Sequence, residues 1–292
     1  MKRVVTPGGV GICYKEMGSG SARPLLLLHG FGCDHTFLAR RLEFFSRSRP
    51  TIAVDLRGHG ESDAPNGAYT PSVYVEDLSW LCERLRLDRP IVVGHSLGGT
   101  IALELAAKVP SAVCGVVMID SLVFPPHGFI ERLRPVEALL HGPDYLGRDV
   151  AGRILFRPGD DLRVVMKFAE SVAATPRHVL AACFDSFVMS YDASAAAYAC
   201  RVPVAYIGAE TPLGDTARFK AFCLGLTIGQ TVGSGHFSPL LVPHQINAMI
   251  RDFEDRVLPA CGRTSPRRRE ATPVGRKRRA RVNEHALTHL VP

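Results

Sequence analysis

"IVVGHSLGGT", residues 91–100, runs four residues suited to a buried strand into the start of a helix, with Ser96 between them in a GxSxG pattern. A chain that passes from strand to helix so abruptly must bend sharply at the serine. Side chains at positions 94 and 98 would strike neighbouring backbone, which explains Gly94 and Gly98. The pattern therefore predicts an exposed Ser96 Oγ at a helix amino terminus, where unpaired N–H groups favour negative charge.

The flanking sequence repeats the same alternation. "GICYKEM" (11–17), "PLLLLHG" (24–30), "TIAVDLRGHGES" (51–62), "PIVVGHS" (90–96) and "CGVVMIDS" (114–121) read as strands, several ending in glycine-rich turns. "PSVYVEDLSWLCERLRL" (71–87) brings Val73, Val75, Leu78, Leu81 and Leu85 near helical spacing, and "LGGTIALELAAKV" (97–109) is a second helix. Continuous apolar strands separated by helices indicate an α/β fold whose sheet is mostly parallel and flanked by helices on both faces. Strand-like segments return at "VPVAYIGA" (202–209) and "GLTIGQTV" (225–232), before a last helix in "PHQINAMIRDFEDRVL" (243–258). Between them, residues 122–201 are helical in character and rich in large apolar residues, among them Phe124, Phe129, Leu139, Leu140, Tyr145, Phe156, Phe168, Phe184, Phe187 and Tyr191. We expect one domain over 1–261, with a core of 1–121 and 202–261 and a helical cap at 122–201.

Composition narrows the function classes. The 292 residues are 46% hydrophobic and carry a formal net charge of +7. Nine of the basic residues fall in 262–292 (Arg263, Arg267, Arg268, Arg269, Arg276, Lys277, Arg278, Arg279, Arg281), against Glu270 and Glu284. Removing those nine from 35 basic residues and those two from 28 acidic ones leaves equal numbers, so the body is neutral. The segment 262–292, with little apolar content and clustered like charges, is expected to be a disordered tail able to bind polyanions weakly. Nothing else in the chain reads as nucleic-acid recognition. Eight cysteines lie scattered without CxxC or other metal-like spacing, as reduced, packed thiols would. With neither a secretory signal nor an apolar run of membrane-spanning length, the expected location is cytoplasmic. Oligomeric state is not readable from these features.

The ordered motifs "LLLLHGFG" (25–32), "DLRGHGES" (55–62), "GHSLGG" (94–99) and "GSGHF" (233–237) resemble the α/β-hydrolase superfamily over residues 10–255. The resemblance implies Ser96 as nucleophile and His236 as its general base. It assigns the oxyanion donors to the backbone N–H groups of Leu97 and Phe31. His29, His59 and His95 are expected to be structural, with His95 pointing away from Ser96. Phe31 could wall an acyl pocket, and Cys33 and His35 its entrance, although ordinary loop packing is the preferred reading of the last two.

The acid partner has two candidates. In most relatives it follows the strand matching "PVAYIG", where this chain has Thr211, which carries no charge, with Glu210 and Asp215 nearby. A subset of relatives places it after the preceding strand, and there, in "GVVMIDS", the apolar run ends at Asp120. We favour Asp120, whose alternative role would be to cap the first cap helix, and keep Glu210 second. The implied chemistry is transfer of an acyl group to water from a small or medium hydrophobic ester, with neither metal nor organic cofactor. A carbon–carbon bond hydrolase, a lactonase, and a ligand-binding protein without turnover remain open alternatives.

Overall fold

The structure, a computed structural model, describes residues 1–142, 155–157 and 159–257. Tyr145, Cys261 and the basic segment 262–292 lie outside these. Eight strands form one sheet in the order β1-β2-β4-β3-β5-β6-β7-β8. They are β1 (Lys2–Val5), β2 (Gly11–Met17), β3 (Leu25–Leu28), β4 (Thr51–Asp55), β5 (Ile91–His95), β6 (Gly115–Ile119), β7 (Val204–Gly208) and β8 (Leu226–Gln230). From β4 to β8 every pairing is parallel, whereas β2 runs antiparallel to both β1 and β4.

The apolar strands alternate sides even where their sequence does not alternate in polarity. Leu25, Leu27, Ala53, Val93, Val117 and Ile207 face α1 (Ala39–Phe45) and the last helix, α10 (Pro243–Val257), meeting Leu42, Phe45, Ile246, Ile250 and Phe253. Leu26, Leu28, Val54, Val92, Val116 and Met118 face α2 (Pro71–Arg84) and α3 (Leu97–Lys108). Each fully buried aliphatic side chain is worth about 1.5–3 kcal/mol of transfer free energy, so both layers are needed to hold the central strands. β5, which ends at the serine, pairs with β3 on one side and β6 on the other, in the most constrained part of the sheet.

β1 is an addition to the expected strands. Its four residues KRVV are mostly exposed and half charged, so no apolar period marks it. It forms because a turn with Gly9 at φ +81° folds it back on β2, and its charges suit a sheet edge.

Between β6 and β7 the described chain is helical: α4 (Phe129–His141), α5 (Leu162–Ala174), α6 (Arg177–Phe184), a π-helical turn at Asp185–Met189 and α7 (Ser194–Ala199). Their inner faces supply Phe129, Leu133, Leu140, Phe168, Val172, Leu180 and Phe184 to a cluster that also takes in Phe37 and Phe237 from the loops above the sheet. Polar ties help to hold this segment down: Tyr191 donates to Glu104 Oε1 at 2.9 Å, Lys167 Nζ donates to Thr36 Oγ1 while lying over the Phe37 ring, and Tyr74 Oη lies 3.1 Å from Cys183 Sγ. After β7 come α8 (Thr216–Phe222), β8, a short α9 (Ser238–Leu241) and α10. Among the described residues no helix is long and apolar enough to cross a membrane.

Candidate active site

The bend after β5 has the predicted strain. Ser96 sits at φ 52°, ψ −118°, a conformation costing about 1–3 kcal/mol for a residue with a side chain. It persists because the surroundings leave no alternative. The Ser96 N–H donates to Ile119 O at 2.9 Å, and its carbonyl accepts from Gly99 and Thr100. A Cβ at Gly94 would lie 2.2 Å from the Gly98 carbonyl, and one at Gly98 would lie 2.4 Å from Leu28 O. The serine is thereby lifted above the sheet at the head of α3.

Asp120 and His236 come from segments 116 residues apart and meet as a buried pair, with Asp120 Oδ2 2.8 Å from His236 Nδ1. Asp120 directly follows β6 at φ +43°, its N–H donating to Ile207 O. Its other oxygen, Oδ1, accepts from Ala209 N at 3.1 Å and Leu213 N at 3.2 Å. The carboxylate is thus oriented by two amides of the segment after β7. With His236 Nδ1 donating to the carboxylate, its Nε2 carries the lone pair.

His95 fixes the other end of that imidazole. Its ring packs 4.7 Å from the His236 ring, and its Nε2 donates to the His236 carbonyl at 2.9 Å. Burial, with His236 next to it, holds the His95 pKa well below the ordinary range, so it acts as a neutral donor. It is structural as expected, and its structural task is to hold the loop of His236. Arg41, wholly buried on α1, donates through Nη1 to the Pro239 carbonyl in α9, directly after that loop. Neither Arg41 nor His95 belongs to a local motif that would assign it this task.

The second candidate acid is engaged elsewhere. Glu210 is exposed and pairs with Arg157, while its N–H donates to Ser234 O. Asp215 caps α8, accepting from Arg218 N at 2.9 Å. α4 begins after Gly128, so Asp120 does not cap it.

The loop after β3 lies directly against the serine. A Cβ on Gly30 would come within 3.3 Å of Ser96 Cβ. Among the described residues the N–H groups of Phe31 and Leu97 have no protein acceptor. His29 braces this loop from below, donating through Nδ1 to Gly30 O and accepting from Leu56 N at Nε2. His59 lies buried beside it with its pKa pushed down to about 3 by desolvation. Cys33 is buried in the aromatic cluster, and His35 is bound to Asp55, so neither lines the cavity over Ser96. Asp34, His35 and Asp55 could offer ligand atoms to a metal within 4.8 Å of one another. Both Asp55 oxygens, however, already accept from His35 N, His35 Nδ1 and Glu61 N.

Above Ser96 opens a cavity of about 90 Å³. Phe31 and Leu97 form its floor with Ser96 and Thr100. Residues from the helical segment, including Leu122, Phe129, Leu133, Val136, Phe184 and Phe187, form the walls, and Leu213 completes them. Phe31, Phe129, Phe184 and Phe187 were legible as apolar candidates. Thr100 and Leu213 were not: the first reads as an ordinary helix residue and the second as part of a loop.

Comparison with known proteins identifies the family of this fold. The profile of the alpha/beta hydrolase family matches residues 25–249. The chain is 35% identical over 172 residues to a 2-(acetamidomethylene)succinate hydrolase of Mesorhizobium japonicum, covering 56% of this chain and 60% of that one. It is 31% identical over 203 residues to a 1-acylglycerol-3-phosphate O-acyltransferase of Rattus norvegicus, covering 68% and 54%. The chain therefore spans little more than half the length of these curated relatives. Among solved structures, an esterase of Thermogutta terrifontis superposes with a TM-score of 0.75 at 23% identity, covering 88% of this chain and 100% of that one. An enol-lactonase of Burkholderia xenovorans does so with a TM-score of 0.77 at 19% identity, covering 87% and 100%. With a GxSxG bend, the preceding glycine loop and a family match over most of the folded residues, this chain belongs to the alpha/beta hydrolase family.

Proposed function

We propose that this protein is a serine hydrolase that transfers the acyl group of a hydrophobic carboxylic ester to water. The observation that carries the reading is the buried Asp120–His236 pair, whose 2.8 Å contact commits Nδ1 as donor and leaves Nε2 as the basic nitrogen. His236 takes the proton of Ser96 Oγ as that oxygen attacks the ester carbonyl. The resulting oxyanion is stabilised by the N–H groups of Leu97 and Phe31 and by the amino-terminal dipole of α3. Collapse of the tetrahedral intermediate breaks the bond to the alcohol, which leaves with the proton from His236. A water molecule, deprotonated by the same imidazole, attacks the acyl-serine and releases the carboxylic acid and free Ser96.

The cavity supports a neutral acyl group. Among the described residues no Lys or Arg lines it, and a carboxylate buried there would lose its hydration without an ionic partner. This sets the chain apart from a relative whose name specifies a succinate derivative. A lactone passes through the same acyl-serine, so lactones belong in the substrate panel.

Fluorophosphonate labelling with mass-spectrometric mapping tests the reading. We expect one adduct, on Ser96, abolished by Ser96→Ala without loss of the folded state. An intact, folded protein that takes no label, or esterase activity surviving in Ser96→Ala, would remove the nucleophile from the proposal.

A further inference from the structure

Thr100 is out of keeping with its surroundings. It occupies the interior of α3 in the run "LGGTIALELAA", where a β-branched residue is a poorer helix former than the alanines that follow. A threonine inside a helix commonly turns its hydroxyl back to the carbonyl four residues earlier. Here that carbonyl belongs to Ser96 and accepts only the N–H groups of Gly99 and Thr100. The residue is 2% exposed, yet Oγ1 has no protein partner among the described residues, nor is it sealed off by protein atoms. The space it meets is the cavity above Ser96, whose other lining side chains, the serine apart, are all apolar.

From these observations we propose that Thr100 is a specificity-determining residue, donating a hydrogen bond to an oxygen on the third carbon of the acyl chain, so that 3-oxoacyl or 3-hydroxyacyl esters are the preferred substrates. This rests on the hydrolase reading and deepens it.

The two residues stand close together: Ser96 is the residue before α3 and Thr100 the fourth residue in it, and helical side chains tilt towards the amino terminus, so the Thr100 side chain leans towards the end of the cavity that holds the serine. An attacked carbonyl carbon sits about 3 Å from the serine oxygen, and a hydrogen-bonded acceptor about 2.8 Å from the threonine oxygen. An acyl chain that bends between the two hydroxyls can offer an oxygen on its third carbon to the threonine while its carbonyl meets the serine. An acyl chain without that oxygen would strip water from the hydroxyl and return nothing, which is how a pocket with one polar group rejects the plain analogue. The rest of the lining, Leu133, Val136 and Val188 included, calls for an apolar remainder.

The test compares phenyl hexanoate with phenyl 3-hydroxyhexanoate and phenyl 3-oxohexanoate, reading phenol release by wild type, Thr100→Val and Thr100→Ser. Valine keeps the shape and removes the donor; serine keeps the donor. Taking each variant's kcat/KM relative to wild type on the same ester cancels the esters' intrinsic reactivities. We expect Thr100→Val to lose about 3- to 30-fold more on the oxygenated esters than on hexanoate. Thr100→Ser should retain the wild-type preference. Thr100→Val changing all three esters by one common factor would overturn the proposal, since a merely structural threonine would do that. Wild type that takes the fluorophosphonate label but hydrolyses none of the three esters would overturn the substrate class alone. Wild type that neither takes the label nor hydrolyses them would sink the hydrolase reading itself.

Discussion

Asp120→Asn isolates the electrostatics of the buried pair from its shape. In the wild type Oδ1 accepts from the N–H groups of Ala209 and Leu213, and Oδ2 faces Nδ1 of His236. An asparagine has one oxygen and one NH2 group to share between these two positions. Turning the NH2 group towards Ala209 and Leu213 would oppose donors to donors and orphan two amides, at about 1–3 kcal/mol for each unsatisfied group. The oxygen must therefore stay at the Oδ1 position, and the amide nitrogen must face the imidazole. His236 then answers by accepting at Nδ1 and carrying its proton on Nε2, the wrong tautomer for receiving the proton of Ser96. Losing both the tautomer and the charge that stabilises the imidazolium should lower kcat by about 10³–10⁴-fold, or about 4–5.5 kcal/mol of barrier. KM should stay near wild type, because Asp120 does not line the cavity. The assay is steady-state hydrolysis of a nitrophenyl ester, with thermal denaturation to show that the fold survives. Glu210→Gln should change kcat little, since Glu210 pairs with Arg157 on the exposed side of the loop. Glu210→Gln losing more activity than Asp120→Asn would refute the assignment of the acid.

Three further outcomes follow from particular contacts. Gly98→Ala puts a methyl group 2.4 Å from Leu28 O and 2.5 Å from His29 O, so thermal denaturation should show a loss of about 1–3 kcal/mol or more; an unchanged melting temperature would mean that the bend can relax. His29, His59 and His95 are buried with pKa values lowered by desolvation, His59 to about 3. Each is lowered below its unfolded value near 6.5, so its contribution to stability is complete above that pH and drains away below it. As the pH falls below 6, denaturant titrations should show stability dropping, with His59 alone contributing about 1.4 kcal/mol per pH unit, and a flat profile from pH 7 to 5 would contradict this. Removing residues 262–292 should leave ester hydrolysis unchanged, because every residue placed at the cavity and the buried pair precedes them; a large loss of kcat would assign the basic segment to catalysis.

Local sequence determined the features that depend on a few adjacent residues. The bend at Ser96 was legible because glycines at 94 and 98 admit a backbone approach that no side chain allows. The parallel strands were legible because burial on both faces demands an unbroken apolar run, as in Leu25–Leu28. β1 escaped notice because a short, exposed, half-charged edge strand leaves no such run. The choice between Asp120 and Glu210 rested on where relatives place the acid, and only the packed structure shows which carboxylate the imidazole meets. That meeting depends on β6, β7 and the loop of His236 converging from positions far apart in the chain, with Ala209 and Leu213 orienting one oxygen. The loop and the short helix directly after it are held by His95 and Arg41, whose partners are backbone carbonyls and therefore invisible to any pattern of side chains. The cavity over Ser96 belongs to the same class: helical period identifies which residues turn inward, but the space they enclose, and the unpartnered hydroxyl of Thr100 within it, exist only once separate helices have closed over the sheet.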